Sequence, residues 1–198
     1  MPIQLASLRE GQVEAMYEIL DLLALLEDES PRYLNQVPFD EIQARGALSE
    51  AVVTYSDVER FLDSTESALF SRTRVILLND RGKELGAVGL SSDEGKDQFK
   101  YLAERGGDDL IEALRIAERF ADHNGVTFEA RLLVIQDLIL QVLVLYPVTD
   151  GVQVHVLPLA PTFGFLSADG PPLPKEEFLS QLRVAWERSR SLLPLEPA

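Results

Sequence analysis

Residues 74–90, RVILLNDRGKELGAVGL, then 108–125, DDLIEALRIAERFADHNG, then 128–159, FEARLLVIQDLILQVLVLYPVTDGVQVHVLPL, decide how this chain folds. Val75 to Leu78 is a continuous apolar run too short for a helix of its own and suited to a covered strand. Asn79-Asp80-Arg81-Gly82 supplies turn chemistry, and Leu85 to Leu90 returns as the second strand of a hairpin. Asp108 and Asp109 place acidic and capping groups at the start of a helix that Asn124-Gly125 stops. Leu110, Ala113, Leu114, Ile116, Ala117, Phe120 and Ala121 share one arc of that helix, with Glu112, Arg115, Arg119 and Asp122 opposite. Ile111 falls outside the apolar arc, near Glu118, where a partner-facing anchor would sit.

Three strands follow the helix, at Phe128 to Ile135, Leu138 to Val148 and Val152 to Leu159. The first alternates Glu129 and Arg131 with Ala130 and Leu132, which predicts a wet face or an edge. The second is the most apolar window and is interrupted by Gln141 and closed by Pro147, so it reads as a central strand rather than a membrane span. Connections this short force consecutive antiparallel pairing.

Outside this region, Ser7 with Glu10 predicts a capped first helix running to Glu27, amphipathic through Leu8, Met16 and Ile19. Leu22 to Leu26 are apolar all round, so the end of that helix is expected to be covered on several sides, by this chain's own core or by a partner. Pro31, Pro38 and Gly46 predict loops and short helices from Ser30 to Thr54. Ser56 with Glu59 opens a second helix expected to end near Ser71. Ser91 to Gly107 reads as charged loop with a helical turn around Phe99 to Glu104. The Pro- and Gly-rich linker Ser167 to Pro174 precedes a closing helix with Phe178, Leu182, Ala185, Trp186 and Leu193 on its apolar face.

The chain has 198 residues, 46% of them hydrophobic, enough for a substantial core. Its 33 acidic and 18 basic residues give a formal net charge of -15. That charge opposes nucleic acid and anionic membranes as partners, because both bind chiefly through Lys and Arg. Cysteine is absent, which removes disulfides, thiolate nucleophiles and cysteine metal sites. The start lacks a signal-peptide pattern, so a cytoplasmic location and no membrane insertion are expected.

Catalytic signatures are missing from the sequence. It contains no G-x-x-x-x-G-K-[ST] phosphate loop, no G-x-S-x-G elbow and no H-E-x-x-H. Gly82, Gly86 and Gly89 imitate a dinucleotide fingerprint, yet they lie in a hairpin with no helix following to hold a pyrophosphate. His123 reads as a complement to its helix end and His155 as the polar face of a strand. The expectation is a protein that is not an enzyme, with no cofactor and no metal.

The order helix, hairpin, helix, three-strand meander, helix from about Ser56 to Leu193 resembles the roadblock / dynein light chain family. VILLNDRGKELGAVGLSS resembles its first hairpin, ALRIAERFADHNG its central helix, and LILQVLVLYPVTDGVQVHVLPLAPTFGFL its last strands. Two departures are visible: the inserted SADGPPLP, and residues 1–55, which have no counterpart in the minimal domain. The resemblance implies an α/β (α+β) fold, a five-stranded antiparallel sheet between helices in a roadblock/profilin-like sandwich. Residues 1–55 would be a helical N-terminal extension and 56–198 the roadblock-like domain.

It also implies a homodimer formed by pairing the edge strand after the central helix, here Phe128, Glu129, Ala130, Arg131, Leu132 and Leu133. Bacterial relatives regulate Ras-like small GTPases across the paired central helices. For this chain that surface would be Ile111, Glu112, Arg115, Glu118, Arg119 and Asp122. A non-catalytic dimeric regulator or adaptor of a small GTPase is therefore expected. The alternatives are an acidic secretion-type chaperone or other protein-interaction scaffold, which would expose apolar grooves, and a PAS-like ligand-sensing module, which would need a cavity between helix and sheet.

Overall fold

The computed structural model describes residues 2–25, 41–64, 72–79, 81–93, 96–102, 107–159, 162, 166 and 170–192. At 22–25, 91–93, 96–102 and 107–108 it describes the backbone alone. The expected loops over 30–40, the second half of the helix expected to reach Ser71, and Ser167 to Asp169 lie outside the described residues. The chain is mixed α/β, with four α-helices and nine strands among the described residues. It divides into two compact units. The N-terminal unit is Leu5–Glu50 with Phe70–Glu112; the C-terminal unit is Met1–Gln4, Ala51–Leu69 and Ala113–Ala198.

In the N-terminal unit, helix α1 (Glu10–Leu25) precedes an antiparallel sheet. Its cap lies two residues later than Ser7 and Glu10 suggest. Gln12 sends its Oε1 back to accept from the backbone N–H of Arg9 at 3.0 Å, the reciprocal arm of a capping box, while its Nε2 donates to Thr73 Oγ1 at 3.3 Å. The strands here are β2 (Gln43–Val53, as far as Glu50), β3 (Arg72–Leu78), β4 (Glu84–Asp93) and β5 (Lys96–Leu102), each antiparallel to the next. Met16, Ile19 and Leu20 of α1 pack with Ile42, Val75, Leu77, Val88 and Leu90, so the described part of the first helix is covered by this chain's own core.

The hairpin closes as its residues dictate. Asn79 Oδ1 accepts from the backbone N–H groups of Arg81 and Lys83 at 3.1 and 2.8 Å, and Gly82 takes φ +72°.

Two expectations need correction here. Residues 1–55 are not a helical extension: β2 pairs with β3 from Gln43↔Leu78 to Glu50↔Arg72. Nor is Ser91 to Gly107 mostly loop, because Lys96–Leu102 pairs with β4. The small and polar residues of β2 hide its strand character, and it carries a bulge between Ala44 and Gly46. Gly46 is required there, since a Cβ at that position would stand 2.8 Å from Leu5 Cβ.

Glu50 and Arg74 are sealed inside this unit at 1% and 2% exposure. Arg74 donates from Nε at 3.0 Å and also from Nη2 to Glu50 Oε2. Arg72 Nη1 stands 3.6 Å from Glu50 Oε1, an ion-pair distance rather than a hydrogen bond.

The C-terminal unit holds a 3₁₀ turn (Tyr55–Asp57), helix α2 (Val58–Asp63), the greater part of α3 (Gly107–Asn124) and α4 (Lys175–Leu192). Its strands are β1 (Ile3–Gln4), β6 (Phe128–Ile135), β7 (Leu140–Pro147), β8 (His155–Pro158) and β9 (Leu173–Pro174). β6, β7, β8 and β9 run antiparallel in sequence order, and β1 joins β6 in parallel at Phe128 and Glu129. The five-stranded sandwich is thus replaced by additional strands in both units. Part of the expected linker is ordered as β9, where a proline without an N–H is tolerated beside the sheet margin.

α3 stops in a Schellman arrangement. Val126 N–H donates to Ala121 O at 3.1 Å and Gly125 N–H to Asp122 O at 3.2 Å, with Gly125 at φ +64°. Its inner face, Ala113, Leu114, Ala117 and Ala121, is buried. Phe120 meets Phe128 of β6 and His155 of β8 at ring separations of 6.0 and 4.9 Å. These rings explain why α3 holds its angle on the strands.

Candidate protein-interaction surfaces

Two surfaces of the C-terminal unit are candidates for contact with another protein. The first is the outer face of α3. Helical spacing brings Arg115, Arg119 and Asp122 to one side, and all three are exposed, while Glu118 is half-buried. Both ends of the polar stripe carry acidic groups and its middle carries guanidinium groups. Such a face suits a partner whose charges alternate, not a polyanion.

The second surface is a groove of about 300 Å³ where α2 and its preceding turn face α4. Tyr55, Val58 and Glu59 line one wall; Glu176, Leu179, Ser180 and Arg183 line the other. Half-buried Tyr55 and Leu179 give the groove its apolar floor, and Val58 and Leu182 are buried beneath it. Tyr55 is stacked on Trp186, centroids 4.7 Å apart and planes within 7°. Lys175, at the head of α4, pairs with Asp63 at the end of α2 and so ties the two helices together.

The turn joining β6 to β7 borders this site through Tyr55. Asp137 Oδ2 accepts from the Tyr55 backbone N–H at 2.8 Å. Two residues on, Ile139 occupies the left-handed region, φ 50° and ψ 37°, and its side chain is 74% exposed. A β-branched residue in that region is strained, and the hydrogen bond at Asp137 helps to hold the turn that keeps it there.

Nearby, the Tyr146 hydroxyl donates to the Phe61 carbonyl at 2.6 Å, fixing α2 to β7. Burial pushes its pKa up to about 12, against the lowering effect of the Arg131 guanidinium, which lies 5.1 Å from the centre of its ring. His155 is shifted down by burial, against the raising effect of its contact with the Gln153 carbonyl at 3.0 Å.

The sequence-selected interface residues do not all share one face. Glu112, Arg115, Arg119 and Asp122 are exposed and Glu118 is half-buried, whereas Ile111 is buried at 5% exposure. Ile111 is therefore not a partner-facing anchor; it is packed inward, on the side of α3 that the single-arc projection assigned to solvent.

The dimer edge is corrected as well. Phe128, Ala130, Arg131, Leu132 and Leu133 are all buried, with only Glu129 partly accessible. β7 pairs along the whole of β6, and β1 takes its other side at Phe128 and Glu129, where Phe128 N–H also donates to Pro2 O at 2.9 Å. At Phe128 and Glu129 the strand is therefore paired on both sides and offers no free backbone groups to a twin.

The groove was not visible in the sequence. Tyr55 and Trp186 are far apart in the chain, Trp186 reads as core, and Glu59 reads as half of a capping box. Only the fold brings them to one place. Among the described residues no group of three or more His, Asp or Glu side chains is placed to hold a metal ion, and no helix is long and apolar enough to cross a membrane. No family model, no curated protein and no solved structure matches this chain.

Proposed function

We propose that this chain is a non-catalytic adaptor that binds another protein through the outer face of α3, with a Ras-like small GTPase as the first partner class to test. The observation that carries the reading is the contrast between the two faces of α3. Its inner face is locked by buried Ala113, Leu114, Ala117 and Ala121, while Arg115, Arg119 and Asp122 stand in solvent. A helix held rigidly by one face pre-organises the charges on the other, so little conformational entropy is lost when a partner docks. The GTPase class comes from the resemblance of the hairpin, central helix and meander to roadblock proteins.

The test is binding to small GTPases from the native cell, loaded in turn with GTP and GDP. Arg115→Glu with Arg119→Glu should weaken nucleotide-dependent binding at least about tenfold in a protein that a cooperative thermal transition shows to be folded. Absence of nucleotide-dependent binding to every GTPase tested would remove the partner class. Binding undisturbed by the double substitution would remove α3 as the surface.

A second reading, an acidic chaperone for a secreted client, has one observation in its favour: the groove between α2 and α4. The PAS-like reading is less well supported, because Phe120, Phe128 and His155 fill space between α3 and the strands that a ligand would need.

A further inference from the structure

We infer that the groove between α2 and α4 is a second binding site, separate from the outer face of α3. Its occupant is a short segment of a partner protein carrying an Arg or Lys beside an apolar side chain. Three features of the site agree on that chemistry.

The first is shape. The groove, of about 300 Å³, is large enough for one or two side chains, and half-buried Tyr55 and Leu179 in its lining offer apolar surface to a methylene stem. The second is charge. Glu59 and Glu176 approach from opposite helices, both exposed, and Arg183 is the one cationic side chain lining the groove. Within a chain of formal net charge -15, an acidic mouth over an apolar floor favours a cation and disfavours a carboxylate. The Tyr55–Trp186 stack beside it adds aromatic surface that an Arg guanidinium prefers over an ammonium.

The third is the neighbouring turn. Ile139 is a large apolar side chain, 74% exposed, in a backbone conformation where Gly or Asn would be comfortable. The turn is tied to the groove wall by the Tyr55–Asp137 hydrogen bond. An exposed apolar side chain on a turn tied to the groove wall is available to the apolar neighbour of a docked cation. The cation of the partner segment enters between Glu59 and Glu176, and its apolar neighbour rests on Ile139.

The probe is a pair of synthetic ten-residue peptides, one alternating Arg with Leu and Ala, the other with Glu in place of Arg. Trp186 is the only tryptophan and stacks against the groove wall, so its emission reports occupancy directly. The basic peptide should bind saturably and change that emission. Glu59→Lys with Glu176→Lys should weaken it about tenfold or more and bind the acidic peptide instead, as charge complementarity demands. Ile139→Gly should weaken the basic peptide about threefold, as expected for one apolar contact at the rim. As a control, Glu14→Lys with Glu18→Lys, exposed on α1, changes the net charge equally and should leave binding within about twofold.

Equal losses in both double variants would mean diffuse attraction to an acidic protein and would overturn the site. So would failure of the basic peptide to bind the unmodified chain. Concentration-dependent self-association abolished by Glu59→Lys with Glu176→Lys would seat a second copy in the groove instead, and would equally overturn the proposal. None of these outcomes depends on whether α3 binds a GTPase.

Discussion

The two units treat a buried arginine in opposite ways. In the N-terminal unit Arg74 and its partner Glu50 are both sealed from solvent, their side chains 2% exposed. In the C-terminal unit Arg131 is equally buried, but its partner Glu129, held at 2.9 Å, keeps a side chain that is 46% exposed, and the Tyr146 ring covers the guanidinium. The difference decides what each pair contributes. A fully buried pair costs a large desolvation on both sides and recovers it only while both partners remain, so it specifies register between β2 and β3 more than it adds stability. A half-solvated pair costs less to form, because Glu129 keeps part of its hydration and the Tyr146 ring also faces the buried guanidinium.

The largest expected effect follows from that contrast. Glu50→Leu should lower stability by about 3–5 kcal/mol, since Arg74 is left buried without its main counter-charge. Glu129→Leu should cost less, about 1–2 kcal/mol, because the Tyr146 ring still faces the buried Arg131 guanidinium. Urea denaturation of the two single variants measures both. Adding Arg74→Met to Glu50→Leu should recover most of the loss; a double variant as unstable as the single one would show that packing, not charge, governs the site.

Tyr146 gives the next effect, confined to the C-terminal unit. Its pKa in the fold is raised to about 12 from 10.0, so the neutral phenol is the form the fold prefers. The associated stability is fully present below pH 10 and is lost as pH rises from about 10 to about 12, up to about 3 kcal/mol across the window. Tyr146→Phe should abolish this alkaline slope. It should also cost about 1 kcal/mol at neutral pH by removing the hydroxyl that donates to the Phe61 carbonyl. A slope that persists in the variant would assign it to another group.

How much of this was legible in the sequence depends on where each signal sits. The hairpin at 72–93, the strand Phe128–Ile135, the helix ending at Asn124-Gly125 and the closing helix after Pro174 all announce themselves through local turn and cap chemistry. β2 does not, because Ala44, Ala47, Ser49 and Ala51 carry little strand propensity and Gly46 looks like a breaker. Its strand character comes from partners: β3 on one side, and Leu5 approaching Gly46 where no side chain fits.

That approach is testable in the N-terminal unit. Gly46→Ala should cost about 2 kcal/mol by pushing against Leu5 Cβ, and Leu5→Gly in the same chain, which removes that atom, should relieve the clash where Leu5→Ala, which keeps it, should not. Among the candidate sites, the exposed α3 charges follow from helical spacing alone. The groove, the burial of Ile111 and the occupied side of β6 follow from contacts between distant segments, which a one-dimensional pattern does not record.

The smallest effect is the most diagnostic for the C-terminal unit, because stability and function are expected to move in opposite directions. Ile139 sits at φ 50°, a conformation that costs a branched side chain about 1–2 kcal/mol, while glycine there surrenders about 0.5–1 kcal/mol of chain entropy. Ile139→Gly should therefore stabilise the protein slightly, by about 0.5–1 kcal/mol, seen as a small rise in the urea midpoint with an unchanged slope. The same substitution should weaken the basic peptide at the α2/α4 groove. A buried ion pair such as Glu50–Arg74 keeps its place through the fold it specifies, and its removal harms the fold. A strained exposed residue has no such reason to persist, so a stabilised chain that binds less tightly would show that Ile139 is retained for contact. A destabilised chain would show that its side chain supports the turn.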